Sequence, residues 1–287
     1  MSMVLIVSAA LLSLAAASLA IWRRSDSRAD DRAWIALLPD FRGAPALFDR
    51  ALVADLPEAA RRYFEFTIAT GTALSPTVVL EMEGRLGLGD KQDPKYRDFR
   101  ARQILSFPHG FLWRLDAGLV GGSDGLVLGR SWTRFWVAGL APVARISDDR
   151  DHFRSAFGRM VAEAAFWAPA SLLPGKQVKW EDAGPDTARA IVSSGEFDQA
   201  VEIALGPDGQ PTAVTIQRWS SANPDKSYRF QPFGGTLSHF RDFGGYRIPT
   251  RVEGGNHFGT ADYFPFFKAR IVSGRFVVPN SGPVLPF

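Results

Sequence analysis

Cysteine is absent from the 287 residues. Its absence excludes disulfide staples, thiolate metal sites, a cysteine nucleophile and a lipid-modified N-terminal cysteine. Net charge is small, +3, and no run of Lys and Arg carries interleaved aromatics, so a nucleic-acid partner is not expected. Histidine is scarce: His109, His152, His239 and His257 are the full set, and none pairs with another as H-x-H or H-E-x-x-H. A metal site would need carboxylates gathered by the fold, and none is expected. There is no P-loop, no dinucleotide fingerprint and no calcium loop, which leaves phosphate-cofactor enzymes unsupported and no cofactor expected. Internal repeats and low-complexity tracts are missing as well.

What is present is an ordinary globular balance, 46% hydrophobic and 22% charged, with an unusual load of 22 Phe and 8 Trp. Rings suit the pleated, half-buried surface of strands, and they tilt the reading toward sheet. Charge is also missing locally. Met3 to Trp22 holds no charged residue, and twenty helical residues at ~1.5 Å each span a ~30 Å hydrocarbon core. Trp22 sits where an interfacial aromatic belongs, and Arg23 and Arg24 follow at once. The segment reads as an uncleaved single-pass anchor in the cell membrane. The rival is a cleaved signal, for which Ala15-Ala16-Ala17 and Ser18-Leu19-Ala20 supply small-residue sites, but no positive charge precedes the apolar run. Arg23, Arg24, Arg28 and Arg32 all follow the span, and the positive-inside rule then favours a cytoplasmic main domain.

Beyond the span, residues 25–55 read as a connecting region punctuated by Pro39, Gly43 and Pro45. Leu56-Pro57-Glu58 opens a helix, with Pro in the first turn and Glu58 complementing the N-terminal dipole. From Val78 the period becomes two: Val78, Leu80, Met82, Leu86 and Leu88 share one face, while Glu81, Glu83 and Arg85 take the other. Similar stretches recur at 98–107, 110–118, 124–129, 132–138, 201–205, 214–217, 226–231, 236–243, 246–254 and 264–278. Gly121-Gly122 is expected as a turn, and Pro207-Asp208-Gly209 as a hairpin. One helix interrupts them. Phe153, Phe157, Met160, Val161 and Ala164 form an amphipathic stripe, with Ser147 or Asp148 as cap and Pro169 as terminator. The expected fold is mainly β, of α+β class: a curved antiparallel sheet of about eleven strands wrapped on one or two helices, with an N-terminal transmembrane helix. The expected division is an anchor over 1–24, a connection over 25–55 and one β-rich domain over 56–280.

Candidate chemistry is sparse. Gly121-Gly122-Ser123-Asp124-Gly125 matches a nucleophile elbow in letters, but a strand and not a helix follows, so a turn is the better reading. His257 has Glu253 and Asp262 nearby and reads as a turn histidine. Glu163 lies near the C-terminus of the predicted helix, where the dipole disfavours a carboxylate, and this implies a cationic partner, for which an Arg from the sheet is expected. Phe258, Tyr263, Phe264, Phe266 and Phe267 suit either a core or the wall of an apolar cavity.

Three segments together resemble a bacterial family built on a domain of unknown function. They are Leu56-Pro57 through Arg62-Tyr63, Glu163 through Pro174 with Trp167 and Pro169 inside it, and Phe240 through Thr250 with Gly244-Gly245-Tyr246-Arg247. The resemblance covers about residues 50–278. It implies an architecture similar to the lipoprotein-localisation carriers of the bacterial envelope, in which a curved sheet wraps helices and holds acyl chains, and hence a periplasmic face. Fold likeness does not fix function. The leading expectation is a membrane-tethered protein that binds a lipid acyl chain or another apolar or amphipathic ligand, with Glu163, Trp167, Arg247, Glu253, Asn256 and His257 at the cavity mouth. The alternatives are an envelope hydrolase using Glu163 or His257 as acid or base, and a scaffold that pairs with another membrane protein.

Overall fold

The computed structural model describes residues 2–40 and 43–279. Helix α1, Ser2–Ala36, carries the apolar span and continues 14 residues past Trp22 without a break. Helix α2 is Glu58–Thr67, entered through Pro57 as expected. Then come β1 Thr77–Gly87, β2 Tyr96–Ser106, β3 Gly110–Ala117, β4 Val120–Val127, β5 Arg130–Val137 and β6 Ala141–Ser147. Helix α3, Arg150–Trp167, interrupts the strands. After it lie β7 Val178–Asp182, β8 Thr187–Ser194, β9 Phe197–Leu205, β10 Pro211–Ser220, β11 Arg229–Asp242, β12 Arg247–Asn256 and β13 Phe264–Phe276.

All thirteen strands join one curled antiparallel sheet in the order β6-β5-β4-β3-β2-β1-β13-β12-β11-β10-β9-β8-β7. The chain therefore starts at the middle of the sheet and steps outward to the β6 edge. It crosses through α3 to the β7 edge and steps back until β13 lies beside β1. Thirteen strands replace the expected eleven for identifiable reasons. The stretches 226–231 and 236–243 are one long strand, β11, carried through Gly234 and Gly235. Strands β6, β7 and β8 have weak alternation, and β6 at the edge is exposed along nearly its whole length.

Two local expectations are corrected. Gly121 and Gly122 lie inside β4, and the reversal comes earlier, because Ala117 pairs with Val120 around Gly118 at φ +73°. Helix α3 is capped by Asp149, whose side chain accepts from the His152 N–H at 2.7 Å, and not by Ser147 or Asp148. Asp149 has the extended backbone an N-cap requires, whereas Asp148 sits at φ +54°.

The concave face holds the main core. Val78, Leu80 and Met82 of β1 meet Phe111 of β3, Ile203 of β9, Ile216 of β10 and Ile271 of β13, together with Tyr63 and Phe64 of α2 and Phe157, Met160 and Trp167 of α3. The Tyr63 hydroxyl donates to the Ala165 carbonyl at 3.0 Å, tying α2 to α3. The convex face of β1–β5 carries a second cluster of Val79, Ile104, Leu112, Val127 and Trp132. Trp34 and Leu37, in and just after the last turn of α1, cover it. The region expected as a connection thus begins as helix, and Asp26, Asp30 and Trp34, spaced four apart, form the face that meets the sheet.

Candidate functional site

Between α3 and the concave sheet lies a cavity of about 510 Å³. A small residue on α3 leaves the space, since Ala162 faces it. Its apolar wall is Trp113, Leu115, Phe135, Phe166, Trp167, Leu237, Val252 and Phe267, and Phe233 with Gly234 and Gly235 closes the β11 side. The volume falls inside the range of about 300–1,000 Å³ common for small-molecule sites.

A polar cluster is set into this wall. Arg159 of α3 donates through Nε to Glu163 Oε1 at 2.6 Å and through Nη1 to Asp124 Oδ2 on β4. Burial works against the Arg159 charge, but the two carboxylates outweigh it and raise the pKa above the ordinary arginine value. Glu163 Oε2 accepts from Gln103 of β2. Asp124 Oδ1 accepts from the Thr133 hydroxyl at 2.6 Å. His152 joins the chain between Ser131, 2.8 Å from Nδ1, and Thr133, 3.0 Å from Nε2. A proton on Nε2 satisfies every member of that row. Burial pushes the His152 pKa below its ordinary 6.5, with the Asp124 charge opposing.

Arg218 of β10 also lines the cavity and is held differently. Its Nε donates to the Ser155 carbonyl at 3.2 Å, and its guanidinium stacks 4.7 Å from the Phe233 ring, and among the described residues no carboxylate forms a salt bridge with it. Burial, reinforced by repulsion from Arg159, pushes its pKa down to about 10. Among the described residues, Gln103 Oε1, Trp113 Nε1 and Trp167 Nε1 are among the buried polar atoms without a hydrogen-bond partner. Among the described residues no group of three or more His, Asp or Glu is placed to hold a metal ion.

The six residues expected at a cavity mouth separate. Glu163 and Trp167 line the cavity. Glu253 lies on the opposite face of β12 from Val252 and pairs with Lys268 at 2.9 Å over a shallow outer groove. Arg247 opens β12 with its guanidinium 4.8 Å from the Phe66 ring. Asn256 ends β12 beside Phe264, and His257 follows in a left-handed turn at φ +60°, its N–H donating to the Pro232 carbonyl. No hydrogen bond or ion pair joins His257 to Glu163. Of the aromatic stretch, Phe266 and Phe267 face the cavity, whereas Phe258 packs on Tyr263 and Phe264 on Tyr96.

The partner of Glu163 is Arg159, four residues earlier on its own helix, and not an arginine of the sheet. That spacing was readable in the sequence. Arg218 was readable too, since it continues the inward row of Val214 and Ile216. Asp124 was hidden by the expectation of a turn around it.

No curated protein matches the chain. Among solved structures, a LolA superfamily protein from Nitrosomonas europaea is similar at 10% identity and a TM-score of 0.41, over 76% of this chain and 92% of that one. A domain from Vibrio parahaemolyticus assigned to outer membrane lipoprotein sorting is similar at 12% identity and a TM-score of 0.39, over 72% and 87%. Residues 46–269 match the Family of unknown function (DUF6544), and the chain belongs to that family.

Proposed function

We propose that this protein is a membrane-tethered binding protein that takes an acyl chain, or an amphipathic molecule bearing one, into the cavity between α3 and the sheet. The observation that carries the reading is the cavity itself: about 510 Å³, walled by aromatic and aliphatic side chains, with a few polar groups at fixed points. Arg218 supports an amphipathic ligand over a plain hydrocarbon, because it is a half-buried cation on the wall that, among the described residues, makes no salt bridge to a carboxylate. The tether is α1, whose run from Met3 to Trp22 is long and apolar enough to cross a bilayer and is largely exposed on the protein.

The hydrolase alternative has less support. Both oxygens of Glu163 are engaged, by Arg159 and Gln103, and His257 stands in a separate turn.

The test is native mass spectrometry of the full chain released gently from membranes in detergent. The full chain is needed because Asp26 to Trp34 pack on the sheet. A discrete adduct of lipid mass, lost in Ala162→Trp, is the expected result. A clean apo mass with no uptake of added fatty acid or phospholipid would sink the proposal.

A further inference from the structure

We infer that the end of the sheet from which α1 departs rests on the same bilayer that α1 spans, so that the cavity opens directly onto lipid. The inference builds on the tether reading above, and it adds an orientation and a contact surface. Three connections lie at one end of the sheet, where β1 passes to β2, β3 to β4 and β5 to β6. Each presents a leucine to solvent: Leu88 at 66%, Leu119 at 73% and Leu140 at 51% exposure. Single exposed leucines are ordinary on any surface, and their grouping is what matters.

Helix α1 leaves the protein at the same end. Trp34 packs on Val79, Ile104 and Leu112, near the far ends of their strands. Asp26 is bound by Arg145 of β6, and Trp22 meets the Trp136 ring edge-on at 5.4 Å. Arg23 lines a crevice with Leu119, Ala138 and Gly139, at the connections themselves. The axis of α1 therefore runs along the convex face toward these connections and past them, and the exposed span begins at their level. In a bilayer Trp22, Arg23 and Arg24 would lie in the headgroup layer. Because α1 is unbroken from the span to its docked end, the level of the connections relative to the membrane is set by the helix and not by a flexible linker.

The cavity opens here too. Leu88 belongs to its lining, as does Val143 of β6, and Val143 is 56% exposed. Exposed members of a cavity wall mark its mouth. Span exit, apolar connections and mouth coincide, and a lipid surface satisfies all three. A ligand would then pass between bilayer and cavity without crossing bulk water.

The natural lack of cysteine makes the test direct. Single-cysteine variants Leu119→Cys, Leu140→Cys, Leu128→Cys and Leu12→Cys of the full chain carry an environment-sensitive fluorophore in phosphatidylcholine–phosphatidylglycerol vesicles. Leu128 is 62% exposed in the connection between β4 and β5, at the opposite end, and serves as the internal reference. Positions 12, 119 and 140 should shift to the blue and be quenched by nitroxide-bearing lipid, while position 128 should read as water. Quenching at 12 with a water-like signal at 119 and 140 would overturn this inference and leave the tether reading standing. A water-like signal at all four positions would overturn both. Shielding from water at 119 and 140 without lipid quenching would point to a protein partner and would also overturn it. Lipid adducts of the full chain in detergent report on the cavity separately from any of these outcomes.

Discussion

The two faces of β4 and β5 are built from alternate residues of the same strands and do opposite work. On the convex side Ser123, Trp132, Arg134 and Trp136 hold α1. Asp26 accepts from Arg145 at 2.6 Å and from the Trp136 indole at 3.1 Å. Asp30 accepts from Ser123 at 3.0 Å and lies 3.7 Å from Arg134. One residue along each strand, Asp124, Thr133 and Phe135 face α3 and its cavity. The back of the sheet is closed by a tryptophan and by carboxylates that find arginines. The front is left open where α3 offers Ala162 and a larger residue would have filled the space. A one-residue step in a strand reverses the side a group faces, so one sheet serves as a rigid mount behind and a receptive wall in front.

The largest effect is expected at the front. Arg159→Ala leaves Asp124 and Glu163 without their shared cation, and a loss of about 3–5 kcal/mol is expected by chemical denaturation. A loss below about 1 kcal/mol would mean that water reaches both carboxylates and that the front is wetter than its geometry implies. At the back, Trp34→Ala should cost about 3 kcal/mol, at the lower end for a buried tryptophan, because solvent can enter the gap beside α1. Trypsin should then cut at Arg28 and Arg32 before it cuts the strands. Unchanged protection there would mean that the ion pairs alone hold the helix.

Acid separates the two faces further. The folded state holds His152 below pH 6.5 in its affinity for a proton, so on acidification the unfolded chain takes up the proton first. Stability from this group is complete above about pH 6.5 and falls as pH drops through the window down to the folded pKa, by less than about 1.4 kcal/mol per pH unit. His152→Gln should flatten that slope in denaturation measured between pH 7 and 5. The back behaves otherwise. Burial pushes Asp26 up, but Arg145, Arg134 and Trp136 outweigh it and hold the carboxyl below 3.8, so its contribution survives until pH falls under that value. Asp30 is raised by burial against Ser123, Arg114 and Arg134, so protonation favours the fold there, and its share is lost as pH rises through the folded pKa. The smallest effect belongs to a pair on neither seam. Arg130 and Asp148 meet at 2.9 Å but are 73% and 52% exposed, and Arg130→Ala should leave the thermal midpoint essentially unchanged.

Much of the fold was legible in local pattern. Alternation of apolar and polar residues located β1, β9 and β10, and the stripe from Phe153 to Ala164 with Pro169 behind it located α3. Strands β6 to β8 escaped because β6 and β7 lie at the sheet edges, where neither face need be apolar, and β8 reads Thr-Ala-Arg-Ala-Ile-Val-Ser-Ser with little contrast. Of the site, Glu163 and Trp167 were named from the helix they share. Arg247, Glu253, Asn256 and His257 were grouped by nearness in sequence, and a strand scatters such neighbours over two faces and a turn.

By itself the amino-acid order determined that this chain has an apolar helix first, strands of period two after it, and one central helix with a carboxylate in need of a cation. Those features depend on residues within a turn or a pleat of one another. Only the tertiary structure decided that Asp26 binds Arg145, 119 residues away, that α3 leaves a cavity in place of a filled core, and that the exposed leucines gather where the span departs. Periodicity tells which residues share a face, but which faces meet depends on the order of strands in the sheet and on its curl.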